Sequence, residues 1–109
     1  MYQSKFASGQ LDLLFDAVLS LESREECYRF FEDLCTVNEL NSLAQRFEVA
    51  LLLEQKKTYH EIAQATSAST ATISRINRCL EYGADGYKLA LKRWKERSGG
   101  GAESHPKER

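Results

Sequence analysis

Residues 59–78, YHEIAQATSASTATISRINR, decide the fold of this 109-residue chain. The stretch contains neither Gly nor Pro, and its apolar residues recur at helical spacing on either side of residues 66–68. Ile62 is the inward anchor of a first short helix, and Ile73 and Ile76 are the inward anchors of a second. Two short helices joined by a tight turn are the pattern of a helix-turn-helix.

Candidate caps and a turn residue bound these two helices. Thr58 precedes the first helix, with Glu61 three residues on as in a capping box, and Ser69 precedes the second. Many turns of this kind place Gly where this chain has Ser67. Serine can enter the left-handed backbone conformation that such turns use, at a higher cost than glycine.

The second helix of such a motif lies in the major groove of DNA, which makes its outward residues candidates for recognition. Small hydroxyl and methyl side chains approach base edges closely, and arginine can reach guanine. Base contacts are predicted for Ser69, Thr70, Ala71, Thr72, Ser74 and Arg75. Phosphate contacts are predicted for Lys56, Lys57, Tyr59, His60 and Arg78. The alternative for each serine and threonine is an ordinary solvated side chain.

The remainder of the chain predicts an all-α fold. Residues 10–82 contain no Gly and no Pro, and no stretch shows sustained strand alternation. We expect residues 1–9 to be an N-terminal segment, residues 10–97 to form one helical domain, and residues 98–109 (SGGGAESHPKER) to be a flexible tail.

Four helices are predicted before the helix-turn-helix and one after it. The first covers residues 10–21, and the second begins after Ser23. Thr36 and Glu39 form a capping box that opens a third helix through Leu43, and a fourth covers residues 44–55. The last covers residues 86–97; its basic side chains are either a solvated surface or a source of extra phosphate contacts.

The first predicted helix is apolar on nearly every side. Its apolar residues are Leu11, Leu13, Leu14, Phe15, Ala17, Val18, Leu19 and Leu21. Such a helix must be buried on nearly every side, which in so short a chain suggests packing against a second subunit. The alternative is a central helix in a monomeric bundle.

The formal net charge of −1 conceals a division of charge along the chain. Residues 10–54 contain three basic and ten acidic residues, a net charge of −7. Residues 55–97 contain nine basic and four acidic residues, a net charge of +5. This asymmetry is typical of a nucleic-acid-binding face, and binding through it should fall steeply with salt.

Several classes of protein are disfavoured by composition. No apolar run approaches the length of a membrane span, and the N-terminus has no apolar signal region, so a soluble cytoplasmic protein is expected. The three cysteines form no CxxC motif, and no histidine stands at metal-ligand spacing beside them. We therefore expect reduced, mostly buried thiols and no metal site. No catalytic pattern is present, which argues against an enzyme.

The chain resembles the Trp repressor superfamily, especially its Trp-repressor-like YerC/YecD group. The resemblance covers residues 34–97 and is most specific in residues 34–53, LCTVNELNSLAQRFEVALLL, and residues 58–75, TYHEIAQATSASTATISR. It implies an intertwined all-helical homodimer that binds a palindromic operator in double-stranded DNA. Two recognition helices would then enter successive major grooves about 34 Å apart.

The same resemblance implies a possible effector pocket. The Trp repressor holds the indole of its corepressor between two arginines near a capping threonine, and Arg46, Arg75 and Thr36 stand at the matching positions. Two other positions depart, since Ile76 replaces a glycine and Cys79 replaces a serine. An isoleucine side chain fills space that the glycine leaves open, so tryptophan is not the expected ligand and no cofactor is assigned. Arg46 could instead pair with the acidic N-terminal half.

Two hypotheses of function follow. The first is a DNA-binding transcriptional regulator, with a repressor as the form that the resemblance implies, acting with or without a small-molecule effector. The second is a protein-interaction module that uses the same helical surface without binding DNA.

Overall fold

The computed structural model describes residues 2–98, and in that range it contains six α-helices and no strand. They are α1 (Gly9–Leu19), α2 (Arg24–Leu34), α3 (Val37–Glu54), α4 (Tyr59–Thr66), α5 (Thr70–Tyr82) and α6 (Gly86–Arg97). The predicted all-α class and the helix-turn-helix are confirmed. The predicted tail, apart from Ser98, lies outside the described residues.

The long helix α3 corrects one prediction. The sequence predicts one helix that ends at Leu43 and another that covers residues 44–55, whereas the structure has one continuous helix of 18 residues. No glycine or proline interrupts this junction, so the backbone hydrogen bonds continue through it. The capping box at its start is confirmed: the Thr36 hydroxyl accepts from the Glu39 N–H at 3.1 Å, and the Glu39 carboxylate accepts from the Thr36 N–H at 2.9 Å.

The C-terminus of α3 is closed by a left-handed residue. Lys56 has a φ of 67°, and its N–H donates to the carbonyl of Leu53 at 3.0 Å. The N–H of Lys57 donates to the carbonyl of Leu52 at 3.1 Å. This pair of bonds is a Schellman motif, in which glycine is the usual left-handed residue. A lysine therefore occupies a strained position directly before the helix-turn-helix.

The described residues divide into two compact units, residues 2–40 and residues 41–98. The first unit holds α1, α2 and the first turn of α3, and none of the residues 2–40 is buried. Ser8 caps α1, which begins one residue before the predicted start and ends two residues before the predicted end. The Ser23 hydroxyl caps α2 by accepting from the Glu26 N–H at 3.1 Å, as predicted. Leu13, Leu19 and Val37 are 72%, 81% and 74% exposed.

The second unit contains the hydrophobic core. Its buried residues come from α3, α4, the turn, α5 and α6, and they are Val49, Ala50, Ile62, Ala68, Ile73, Ile76 and Leu91. The three predicted anchors Ile62, Ile73 and Ile76 are all among them. Because α5 is held by its Ile73 and Ile76 face, its opposite face is directed outward.

The cysteines are free, as predicted, but the expectation that they are mostly buried is wrong for the single chain. Cys27 and Cys79 are exposed, and Cys35 is half-buried. The reason is their placement: α2 buries no residue in this chain, and the buried residues of α5 are Ile73 and Ile76.

Candidate nucleic-acid interface

The start of α4 is fixed by the predicted capping box. The Thr58 hydroxyl accepts from the Glu61 N–H at 3.1 Å, and the Glu61 carboxylate accepts from the Thr58 N–H at 2.9 Å. The hydrogen bond from the Thr58 backbone lowers the pKa of Glu61 below its ordinary value of 4.5, and the charge of Lys57 acts in the same direction. The entry to the helix-turn-helix is therefore set by local hydrogen bonds on the protein surface.

The turn between α4 and α5 adopts the left-handed conformation expected of it. Ser67 has a φ of 65° and a ψ of 15°, and its N–H donates to the carbonyl of Ala63 at 2.9 Å. The Thr66 hydroxyl donates to the carbonyl of Ile62 at 2.8 Å and accepts from the Ala68 N–H at 3.1 Å. Backbone and side-chain bonds together hold a turn that lacks the usual glycine.

The long helix α3 also contacts this turn through a residue that sequence reasoning missed. The side-chain Nε2 of Gln45 donates to the backbone carbonyl of Thr66 at 3.1 Å, and the bond is partly buried. Gln45 precedes the buried Val49 by four residues and so lies on the inward stripe of α3. A polar side chain on an apolar stripe was the available signal that Gln45 needs a partner, although it does not identify that partner.

The outward face of α5 carries most of the predicted recognition residues. Thr70, Ala71, Ser74, Arg75 and Arg78 are all exposed. At 3.6 residues per turn they span about 140° of the helix, opposite the buried Ile73 and Ile76. Tyr82 lies one turn beyond Arg78 on the same face and is 81% exposed. Tyr82 is not among the residues predicted from the sequence, although its helical spacing from Ala71, Arg75 and Arg78 could have identified it.

Ser69 and Thr72 lie at the edge of this face. The Ser69 hydroxyl accepts from the Thr72 N–H at 3.1 Å and donates to the Thr72 hydroxyl at 3.1 Å. Ser69 is exposed, whereas Thr72 is half-buried. The structure therefore gives both residues a capping role at the start of α5, and their contacts with bases stay a prediction.

The predicted phosphate-binding residues are exposed around the same unit. Lys56, Lys57, Tyr59 and His60 surround the start of α4, and Arg78 lies on the outward face of α5. Within residues 41–98 the side chains of Lys56, Lys57, Arg75 and Arg78 form no ion pair. Their charges are therefore available to an anionic partner.

Two of the basic residues of α6 have partners. Lys95 Nζ lies 3.2 Å from a carboxylate oxygen of Glu54, and Lys88 Nζ lies 3.9 Å from one of Asp85. The remaining cations of α6 are exposed, namely Lys92, Arg93 and Arg97. Exposed pairs of this kind contribute little to stability, so α6 presents a basic surface that is only partly neutralised.

Arg46 and Arg75 of the suggested effector pocket are both exposed, and their joint role in binding an effector stays a prediction. Burial of its ring raises the pKa of the Tyr87 phenol, with Cys79 adding to the rise and the charge of Arg46 opposing it. Arg75 lies on the exposed outward face of α5.

Two other positions bear on an effector. Ile76, which stands where the Trp repressor has a glycine, is 3% exposed and belongs to the core. Thr36 belongs to the first unit, where its hydroxyl caps α3. The expectation that tryptophan is not the ligand stays a prediction.

No helix within residues 2–98 combines the length and the apolar character needed to cross a membrane.

Comparison with known proteins adds a family and three relatives. The family described as Trp repressor protein matches residues 9–95. The uncharacterised Bacillus subtilis (strain 168) protein YerC is 58% identical over 96 residues, covering 88% of this chain and 92% of YerC. Among solved structures, a proposed Trp repressor from Staphylococcus aureus is 55% identical with a TM-score of 0.80, covering 84% of this chain and 91% of its own. A TrpR-like protein from Eubacterium eligens is 53% identical with a TM-score of 0.79, covering 83% and 93%.

Proposed function

The chain belongs to the Trp repressor family, and from that premise we propose that it is a sequence-specific DNA-binding transcriptional regulator that acts as a homodimer in the cytoplasm. The observation that carries this proposal is the outward face of α5. Its Arg75 and Arg78 are exposed and form no ion pair within residues 41–98, while Ile73 and Ile76 anchor the opposite face in the core. A rigid helix with small residues at its N-terminus and cations beyond them fits the major groove.

Base readout and phosphate binding are divided between two parts of this unit. The N-terminal half of α5 reads bases through Thr70, Ala71, Ser74 and Arg75, with Ser69 and Thr72 at its edge. Lys56, Lys57, Tyr59, His60 and Arg78 bind phosphates and fix the register. The net charge of −1 for the whole chain means that attraction depends on local basic surfaces rather than on total charge.

A homodimer is supported by the first unit. None of its described residues is buried, although large apolar side chains project from α1 and from the start of α3. Isolated helices of 11 residues are marginal in water, so α1 and α2 need an apolar partner to be stable. A second copy of the chain supplies an identical apolar surface and places a second α5 for a palindromic site.

Tryptophan is not required for DNA binding in this proposal. The buried Ile76 occupies the position where the Trp repressor has a glycine, and the sequence identifies no replacement effector. The regulator would then be controlled by its own amount or by a ligand of different chemistry.

The proposal is tested by fluorescence anisotropy with a labelled duplex from the promoter region of its own gene. We expect binding that weakens steeply as KCl is raised, with Arg75→Ala reducing affinity at least tenfold. Arg24→Ala on α2 removes the same charge from an exposed residue and serves as the matched control. Absence of salt-sensitive binding at low ionic strength refutes the proposal.

The alternative of a protein-interaction module predicts a different pattern. In that case Arg75→Ala and Thr72→Ala leave the regulatory activity in cells unchanged, while substitutions on the acidic N-terminal half abolish it. The dimer is tested separately by sedimentation velocity. A stable folded monomer at micromolar concentration contradicts it.

A further inference from the structure

We propose that Gln45 is a positioning residue for DNA recognition, and this inference rests on the proposed function. Its side-chain amide, on α3, ties the turn of the helix-turn-helix to the long helix through the Thr66 carbonyl. The bond holds α5 in the orientation in which its outward face reads bases. Gln45 does not itself contact DNA in this proposal.

The acceptor of this bond is a group that needs a partner. The last carbonyls of an α-helix have no partner within the helix, and Thr66 is the last residue of α4. The left-handed Ser67 directs the chain away immediately after it. Gln45 satisfies the carbonyl at 3.1 Å from a residue 21 positions earlier, in a partly buried setting where an unpaired carbonyl is costly.

The bond also fixes the orientation of the helix-turn-helix on α3, which the apolar core does not fix. Within residues 41–98 it is the sole side-chain hydrogen bond between α3 and the α4–α5 pair. The other packing of α3 in this core is apolar, through Val49 and Ala50, and apolar packing is non-directional. A hydrogen bond at the turn fixes the rotation of the motif on α3, and small errors in that rotation move the side chains of α5 relative to base edges.

The test replaces the amide without changing charge or helix propensity. Gln45→Met keeps the length of the side chain and removes the donor. Gln64→Met makes the same change at an exposed glutamine of α4 and is the matched control. Gln45→His restores a donor, because the histidine Nε2 sits at a similar reach to the glutamine amide, and it serves as the rescue variant.

Affinity is measured by anisotropy for the promoter duplex and for poly(dI-dC) as non-specific DNA. A net hydrogen bond corresponds to about a fivefold change in an equilibrium constant, so a dimer using two turns should lose about 25-fold on the promoter duplex. Binding to poly(dI-dC) and the salt dependence should be unchanged, since no phosphate contact is lost. Amide exchange at Ser67 and Ala68 should accelerate in Gln45→Met and recover in Gln45→His.

The outcomes separate this inference from the function on which it rests. If the unmodified protein shows no salt-sensitive DNA binding, the proposed function fails and the inference fails with it. If the unmodified protein binds but Gln45→Met matches it on the promoter duplex, the inference alone is overturned. An equal loss on both DNAs, or an equal loss in Gln64→Met, also overturns it, because the effect is then not one of orientation.

Discussion

Replacing Lys56 by glycine should make the protein more stable and a weaker DNA binder. Lys56 adopts a φ of 67° at the end of α3, where a side chain is disfavoured by about 1–2 kcal/mol. Glycine removes that cost but adds about 0.5–1 kcal/mol of unfolded-chain entropy. The difference is a net gain of about 0.5 kcal/mol, which for a chain of this size is a rise of about 2–4 °C in Tm.

The same substitution removes one proposed phosphate contact from each protomer. Each lost contact lowers the slope of log K against log salt by about 0.9, so a dimer should lose about 2 from that slope. Stability is measured by thermal unfolding followed by circular dichroism, and the slope by anisotropy titrations at several KCl concentrations. Partial unfolding would lower both stability and affinity, so it cannot explain a variant that is more stable and binds DNA more weakly.

Lys57→Gly is the matched control. Lys57 is exposed and carries the same charge, but its φ is not positive, so glycine relieves no strain there. We expect Lys57→Gly to lower Tm and to reduce the salt slope as much as Lys56→Gly does. The reasoning on the left-handed residue is refuted if Lys56→Gly lowers Tm as much as Lys57→Gly does.

Four further substitutions address other parts of the fold. Gly83→Ala should destabilise the protein by about 1–3 kcal/mol in urea unfolding, since a Cβ at this position would overlap the Cys79 carbonyl oxygen. Gly86 has open space around it, so Gly86→Ala should be neutral or stabilising. Equal effects of the two substitutions would contradict this account. The pKa of Glu61 is lowered in the folded chain, so its carboxylate stabilises the fold above the ordinary pKa of 4.5 and this contribution is lost as pH falls through the lower folded value. The Tm difference between wild type and Glu61→Gln should therefore vanish in acid, and a constant difference across the titration would count against the capping box as its source. Leu13→Asp on α1 should abolish the dimer in sedimentation velocity, and an unaffected dimer would show that this exposed leucine lies outside the interface.

Local signals allowed the helix-turn-helix to be predicted closely. The caps at Thr58 and Ser69 and the left-handed Ser67 depend on hydrogen bonds within a few residues, so the residue types carry the information. The division of α3 at Leu43 is wrong, because residues 37–54 form one continuous helix. Without a glycine or a proline at the junction, propagation of the helix costs less than breaking it.

Contacts between distant residues could not be predicted from one sequence. Gln45 and Thr66 are separated by 21 positions, and nothing in either residue type specifies the other as its partner. Lys56 shows a second limit, because lysine is not a marker of the left-handed conformation that the end of α3 imposes on it. Tyr82 was predictable in principle, since helical spacing alone places it in line with Arg75 and Arg78.

The absence of any buried residue in the described part of the first unit has a kinetic consequence for a dimer. If α1 and α2 gain their apolar environment only from a second chain, completion of the fold is a bimolecular reaction, whereas the core of the second unit can form within one chain. A newly made protein would pass through a state with a formed helix-turn-helix and an exposed N-terminal half. The lifetime of that state would be inversely related to the amount of protein already present, which makes dilute chains the preferred substrate of cellular proteases.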